Sequence, residues 1–407
     1  MVPKDWEYST LESLCEPSAP ITYGVLKPGD YFADGIPLLQ IKDLLSDLSE
    51  PQCLHHISPE LDEQYRRSRI KTNDILISLV GTVGRIGIVP KQLNNANIHR
   101  NLGRIRTKSF EFLVHYLHSD IAKNRFGISS SGSSQSALNL TVLRSLKVPV
   151  PPFPEQQKIA KILSTWDKAI GATERLIENS TQQKKALMQQ LLTGKKRLLD
   201  ESGKRFEGEW EEVKLGDVSD VRDGTHDSPE FIDVGYPLIT SKNLLSSGRL
   251  DLSNVKLISE EDYLQINKRS NVNNGDILFG MIGTIGNPVR VKSSNYAIKN
   301  VALIKETGIL LNSFLIYYLS SHDIDKQIYR LNAGGTQKFV ALGVLRNLVV
   351  SLPTQKEQQK IATVLTNADK EIELLEQQLA DLQQEKKALM QVLLTGKKRV
   401  VVDGEVA

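Results

Sequence analysis

The stretch "KKALMQQLLTGKKR" occupies residues 184–197, and "KKALMQVLLTGKKR" occupies residues 386–399. One letter differs across an offset of 202 residues, about half of the 407-residue chain. Working outward, residues 155–197 align with residues 357–399 without a gap, and 25 of 43 positions are identical. Further upstream the likeness is fainter but keeps its place. "NDILISLVGTVG" (73–84) matches "GDILFGMIGTIG" (275–286), "VLRSLKVPVP" (142–151) matches "VLRNLVVSLP" (344–353), and "GIPLLQIKDL" (35–44) matches "GYPLITSKNL" (235–244). Trp6-Glu7 and Trp210-Glu211 open the two copies. A period this long far exceeds a solenoid unit, so each copy reads as a globular part followed by a nearly constant helix.

The constant parts carry a 3.5-residue apolar period, the seam of a coiled coil. In the first copy the seam is Ile159, Leu163, Trp166, Ile170, Thr173, Ile177, Ser180, Lys184, Leu187 and Leu191. In the second it is Ile361, Leu365, Ala368, Ile372, Leu375, Leu379, Leu382, Lys386, Leu389 and Leu393. Prolines precede each helix, while Gly194 and Gly396 stand where a left-handed cap is wanted. The triplets 195–197 and 397–399 place basic charge at the negative end of each helix dipole. Two seams in one chain, each too polar to stand alone, are expected to pair antiparallel, as a rod roughly 50 Å long at 1.5 Å per residue. Lys184 and Lys386 sit on seam positions in both copies, to set register or to face a partner. The expected fold class is α+β. It comprises two mixed α/β globular domains joined by two long helices forming an antiparallel coiled coil, with a pseudo-two-fold internal repeat.

Hydrophobic content of 40% and charged content of 24% fit a folded chain, and its length calls for more than one core. No apolar run is long enough for a transmembrane helix, and the first residues lack the apolar core of a signal peptide. Cys15 and Cys53 are too few for a disulfide framework, so a cytoplasmic location and no membrane partner are expected. No Walker-type phosphate loop is present, because "TGKK" lacks the upstream glycine and the Ser or Thr. "GTVGRIG" (81–87) reads as a turn, "CLHH" (53–56) has no second ligand pair for zinc, and no carboxylate pair stands out. Neither a catalytic residue nor a metal site is assigned.

Net charge is +3, so the placement of the basic residues matters more than their sum. In the first globular part "RRSRIK" supplies Arg66, Arg67, Arg69 and Lys71, and "HRNLGRIR" supplies His99, Arg100 and Arg104. In the second, Lys268, Arg269, Lys299 and Asn300 stand at corresponding places. The loops "SSSGSSQSALN" (129–139) and "LNAGGTQKFVA" (331–341) align on their glycines and glutamines. They offer Ser133, Ser134 and Gln135 in one copy and Thr336, Gln337 and Lys338 in the other. These are donors for phosphate oxygens and base edges, and they form the candidate DNA-binding set. "EFLVHYLHSDIAKNRF" (111–126) and "NSFLIYYLSSHDIDKQIYRL" (312–331) each read as one helix, the second capped by Asn312.

Two diverged parts alternate with two near-identical helices. Each helix is entered through "VPVPPFPEQQKIAKIL" (148–163) or "SLPTQKEQQKIATVL" (351–365) and closes on "LLTGKKR". In this layout the chain resembles the specificity subunit of type I restriction–modification systems. The resemblance implies a target recognition domain at 1–152, a spacer helix at 153–197 and a linker at 198–209. A second target recognition domain at 210–353, a second spacer helix at 354–399 and a tail at 400–407 would follow. It implies that each domain reads one half of a split, asymmetric double-stranded DNA target while the helices fix the spacer. Two modification subunits, which bind S-adenosylmethionine, would dock on this chain. Two ATP- and Mg-dependent restriction subunits would join them, and no cofactor would sit in the chain itself. A related system with a fused modification–cleavage polypeptide, a free-standing DNA-binding regulator and a protein-binding scaffold are the alternatives.

Overall fold

The structure is a computed structural model that describes residues 3–45, 48, 53–126, 137–331 and 339–402. The chain divides into two compact units, one of residues 1–174 with 377–407 and one of residues 175–376. The long helices Phe153–Leu191 and Gln355–Leu393 each pass from one unit into the other. Each unit therefore holds the start of one long helix and the end of the other.

In the first unit, Glu7–Thr10 pairs antiparallel with Lys147–Val150, just before the first long helix. A four-stranded antiparallel sheet runs in the order Thr22–Tyr23, Leu102–Ile105, Ile75–Ser78, Ile86–Ile88. A three-stranded sheet places Ile36–Leu39 between His55–Ile57, antiparallel, and Asn97–Ile98, parallel. Ile75–Ser78 is buried at every position, as a central apolar strand requires. Its Ile75 and Ile77 pack into one core with Phe112, Leu113 and Tyr116 of helix Phe110–His118, together with Ile159, Leu163, Leu393 and Leu394 of the long-helix segments.

The second unit repeats this plan. Glu211–Lys214 pairs with Val349–Leu352, and a four-stranded sheet has the order Ser219–Asp223, Val301–Glu306, Ile277–Gly280, Gly286–Arg290. The three-stranded sheet is Lys256–Ile258, Tyr236–Ile239, Ala297–Ile298, again with one parallel pair. Its core joins Ile277, Phe279, Phe314 and Leu315 to Ile361 and Leu365 at the start of one long helix and to Leu191 and Leu192 at the end of the other. In both units the start of one helix packs with the end of the other, so the helices run antiparallel.

All twenty predicted seam positions are buried or half-buried, whereas Leu176 and Leu374, off the seam, are 52% and 70% exposed. The two mid-domain helices are shorter than the sequence predicts. Phe110–His118 ends at Ser119, whose hydroxyl accepts from Ala122 N to cap a separate helix, Asp120–Arg125. Asn312–Leu319 likewise ends before His322–Leu331. Asn312 is not a cap. It is 1% exposed, and its side-chain amide donates to the carbonyls of Gly275 and Ile304, stitching the helix to the sheet.

Candidate nucleic-acid interface

The letters repeated between the two halves of the chain build the frame that holds the site. Glu155, 2% exposed, accepts the Trp6 indole N–H at 3.1 Å and a forked pair of bonds from Arg399, the shortest at 2.8 Å. Glu357, 0% exposed, accepts from Trp210 at 3.1 Å and from Arg197 at 2.6 and 2.7 Å. In each unit the Arg that ends one helix's "TGKKR" thus clamps the Glu that opens the other helix's "EQQ". The opening Trp closes the same clamp. The positive φ of Gly194 and Gly396, 67° and 71°, turns the chain back so that Arg can reach. Lys195, Lys196, Lys397 and Lys398 stay exposed.

A second repeated node joins the two long helices within each unit. Lys386 pairs with Asp167 in the first unit, and Lys184 pairs with Asp369 in the second. Beside Asp167, His115 Nε2 lies 3.1 Å from the Ser164 hydroxyl, and burial holds the His115 pKa down to about 4. Beside Asp369, the Tyr317 hydroxyl donates at 2.7 Å, and burial pushes the Tyr317 pKa up. Both polar seam lysines are thus engaged in reciprocal ion pairs with the other helix.

On this frame each unit presents a loop of equal length between two glycines, 24–35 and 224–235. A Cβ on Gly24 would lie 1.7 Å from the Ile98 carbonyl oxygen, and one on Gly224 would lie 2.4 Å from that of Ile298. A Cβ on Gly35 or on Gly235 would lie 2.2 Å from the oxygen of Ile57 or Ile258 respectively. The loop ends are thus pinned to the three-stranded sheet while the residues between them differ completely. Tyr31 and Phe231 occupy the same place in the two loops and are 60% and 52% exposed. Tyr31 stacks on His56 with centroids 5.4 Å apart, and Lys256 lies over the Phe231 ring.

In the first unit, the segment Arg66–Ser68 packs against Thr22–Tyr23 and Asn97–Ile98, and His99 and Arg100 follow that second strand directly. The two basic stretches therefore lie on neighbouring segments. Arg67 and Arg100 are exposed and without an ion-pair partner among the described residues, and Lys71 is exposed. Arg66 pairs with Glu63 at 3.3 Å, and Arg69 binds both Asp62 and Glu63. Burial, then the neighbouring Arg100, lowers the His99 pKa. Arg104 departs from its predicted role. It is 3% exposed and donates to the Pro20 carbonyl at 2.8 Å, so it holds the sheet edge and cannot reach a phosphate from there.

In the second unit two of the predicted residues, Arg269 and Asn300, converge. Arg269 donates to Asp223 at 2.5 Å, Asp223 also meets His226 Nε2 at 3.0 Å, and His226 Nδ1 lies 2.8 Å from the Asn300 side-chain oxygen. Asn300 holds a left-handed φ of 55°, which Asn tolerates better than most residues. Lys299 Nζ donates to the Ser228 hydroxyl at 2.5 Å, and Lys268 stays exposed, bonded among the described residues to Gln265. The Asn300 side chain, then Asp223, raises the His226 pKa. Asp223 and His226 were not among the sequence candidates, although the matching glycines at 24 and 224 mark the loop that carries His226. The candidates Ser133, Ser134, Gln135, Thr336, Gln337 and Lys338 lie outside the described residues. The residues that follow those two loops are anchored alike: Ala137 pairs with Val80, and Phe339 with Ile282.

No helix among the described residues is long and apolar enough to cross a membrane. The family model described as the type I restriction modification DNA specificity domain matches residues 3–180 and 207–384. The EcoBI type I restriction enzyme specificity subunit of Escherichia coli is 32% identical over 47% of this chain, and that alignment spans only 41% of the EcoBI subunit. The MjaVIII type I restriction enzyme specificity subunit of Methanocaldococcus jannaschii is 30% identical over 67% of this chain and 66% of its own. The crystal structure of the type I restriction-modification S subunit from M. genitalium superposes with a TM-score of 0.58 at 15% identity, covering 97% of this chain and 99% of that one.

Proposed function

The chain belongs to the type I restriction modification DNA specificity domain family, and from that membership we propose that it is the DNA-reading subunit of a type I restriction–modification complex. Each globular part reads one half of a split, non-palindromic target in duplex DNA. The observation that carries this is one frame bearing two chemistries. The positions filled by Tyr23, Leu26, His99 and Arg100 in the first unit hold Asp223, His226, Lys299 and Asn300 in the second. Identical framework with divergent surface is what two readers of different half-sites require, because base edges are told apart by the donors and acceptors presented to them.

The long helices fix the spacer between the half-sites. For two readers to meet one face of the duplex, the half-sites lie about one helical turn, 34–36 Å, apart or at multiples of it. Two identical modification subunits dock on the chain. In support, exposed Gln157, Lys168 and Gln189 recur as exposed Gln359, Lys370 and Gln391, so two equal surfaces serve two equal partners. S-adenosylmethionine belongs to those partners, and ATP and Mg belong to the restriction subunits that join them. This chain reads and positions.

The test is binding of the chain, purified with its modification subunits, to random-sequence duplexes across a salt series. Sequence-selective binding that weakens steeply with salt is expected, because arginine and lysine contacts release counterions from the duplex. Binding that is insensitive to salt, or absent, contradicts the proposal.

A further inference from the structure

We propose that Arg269 is the residue with which the second unit grips its half-site, and that Asp223, His226 and Asn300 form a hydrogen-bonded chain that aims it. The inference rests on the DNA-reading function above. The Arg269 side chain is 73% exposed, and one terminal nitrogen is engaged by Asp223. Its remaining guanidinium N–H groups have no partner among the described residues, and they form the planar fork that suits a phosphate or a guanine edge.

The chain behind Arg269 is built for a ligand of opposite charge. Asp223 is 8% exposed, and its two oxygens are divided between Arg269 and His226. Both ring nitrogens of His226 face oxygen atoms, so both can donate only when the ring carries two protons. Two cations then share one carboxylate at the surface. Such a surplus is repulsive within the protein and is relieved by an anion, which a duplex backbone supplies. The groups around His226 are Asp223 from strand Ser219–Asp223, Arg269 from helix Glu260–Ser270 and Asn300 after strand Ala297–Ile298, with Thr225 and Asp227 on its own loop. Nearby Arg222 is occupied by Asp220.

The first unit lacks the device and serves as an internal control. Arg67 stands in the place of Arg269, Tyr23 in that of Asp223, Leu26 in that of His226 and Arg100 in that of Asn300. At those places its arginine therefore has neither the carboxylate nor the imidazole.

The experiment takes the full chain with its modification subunits, selects from a pool of random-sequence duplexes near pH 6 and pH 8, and measures affinity for the recovered motif. Arg269→Gln is expected to bind about tenfold or more weakly, with the loss confined to one half-site and contacts to the other half-site kept. His226→Gln is expected to keep the motif but to lose the pH dependence. Wild type binds several-fold tighter at the lower pH, because the raised His226 pKa keeps the ring charged there and the charge is lost as pH rises. Both side chains are exposed, and an unchanged thermal melt verifies that each variant is folded. Variants that retain both half-sites with the wild-type affinity and pH profile overturn the inference. Wild-type chain that enriches no sequence overturns the DNA-reading function itself, and this inference with it.

Discussion

A carboxylate with 2% of its surface exposed, as at Glu155, or none, as at Glu357, is costly unless its charge is met. The arginine clamps meet it, and removing one partner leaves the other stranded. Arg197 is 18% exposed and Arg399 is 43% exposed, so the two clamps differ in how far water can replace the arginine. Arg197→Ala is expected to destabilise its unit by about 3–5 kcal/mol, and Arg399→Ala by roughly half as much because solvent screens it. Urea melts compare the two, and a larger loss for Arg399 contradicts this ordering. Lysine is a poor substitute at either site, since it cannot form the forked pair. His115 provides a pH test of the same kind. Its folded pKa, about 4, lies below the unfolded value near 6.5. The folded state therefore binds fewer protons between those values, and its contribution is full above about 6.5 and lost as pH falls toward 4. His115→Tyr, which copies Tyr317 of the second unit, should flatten the acid limb of the melt; an unchanged limb would remove His115 from the explanation.

At the scale of elements, the seam was legible because burial on a helix repeats with a fixed period, and every predicted position is shielded. Strands such as Ile75–Ser78 were legible for the same reason: the residues that enter the core are the ones the sequence makes apolar. The clamps were not. Glu155 and Arg399 are 244 residues apart, and nothing local to "EQQ" or "TGKKR" says that each completes the other. The site was legible only in part. Arg269, Lys299 and Asn300 were visible as basic or amide residues, whereas Asp223 and His226 gain meaning only when the turn 224–226 brings them to Asn300. Arg104 misled because a guanidinium in a basic run can be spent inside the fold, here on Pro20. The register pairs give an element-scale prediction. Exchanging Lys386 and Asp167 by Lys386→Asp with Asp167→Lys should recover most of the stability that either single change loses, with a coupling of up to about 1 kcal/mol for these half-exposed groups. Independent, additive losses in melts of the three variants would show that the pair does not set register.

At the scale of the whole molecule, duplication supplies one frame twice and divergence makes its surfaces differ. A duplicated reader with identical surfaces would call for a palindrome; Leu26 opposite His226, and Tyr23 opposite Asp223, call for two unlike half-sites. Exchanging residues 24–35 for another loop of equal length between the same glycines should therefore alter one half of the target and leave the other half and the spacer untouched. An alteration of both halves would mean that the loops do not act as separate readers. The most direct measurement is modified-base sequencing of genomic DNA from cells carrying this chain with its modification subunit, set against cells lacking only this chain. The account predicts a split, non-palindromic motif methylated on adenine in both halves, separated by unspecified bases and lost with the chain. A continuous or palindromic motif, or methylation that persists without the chain while the modification subunit is expressed, would contradict it.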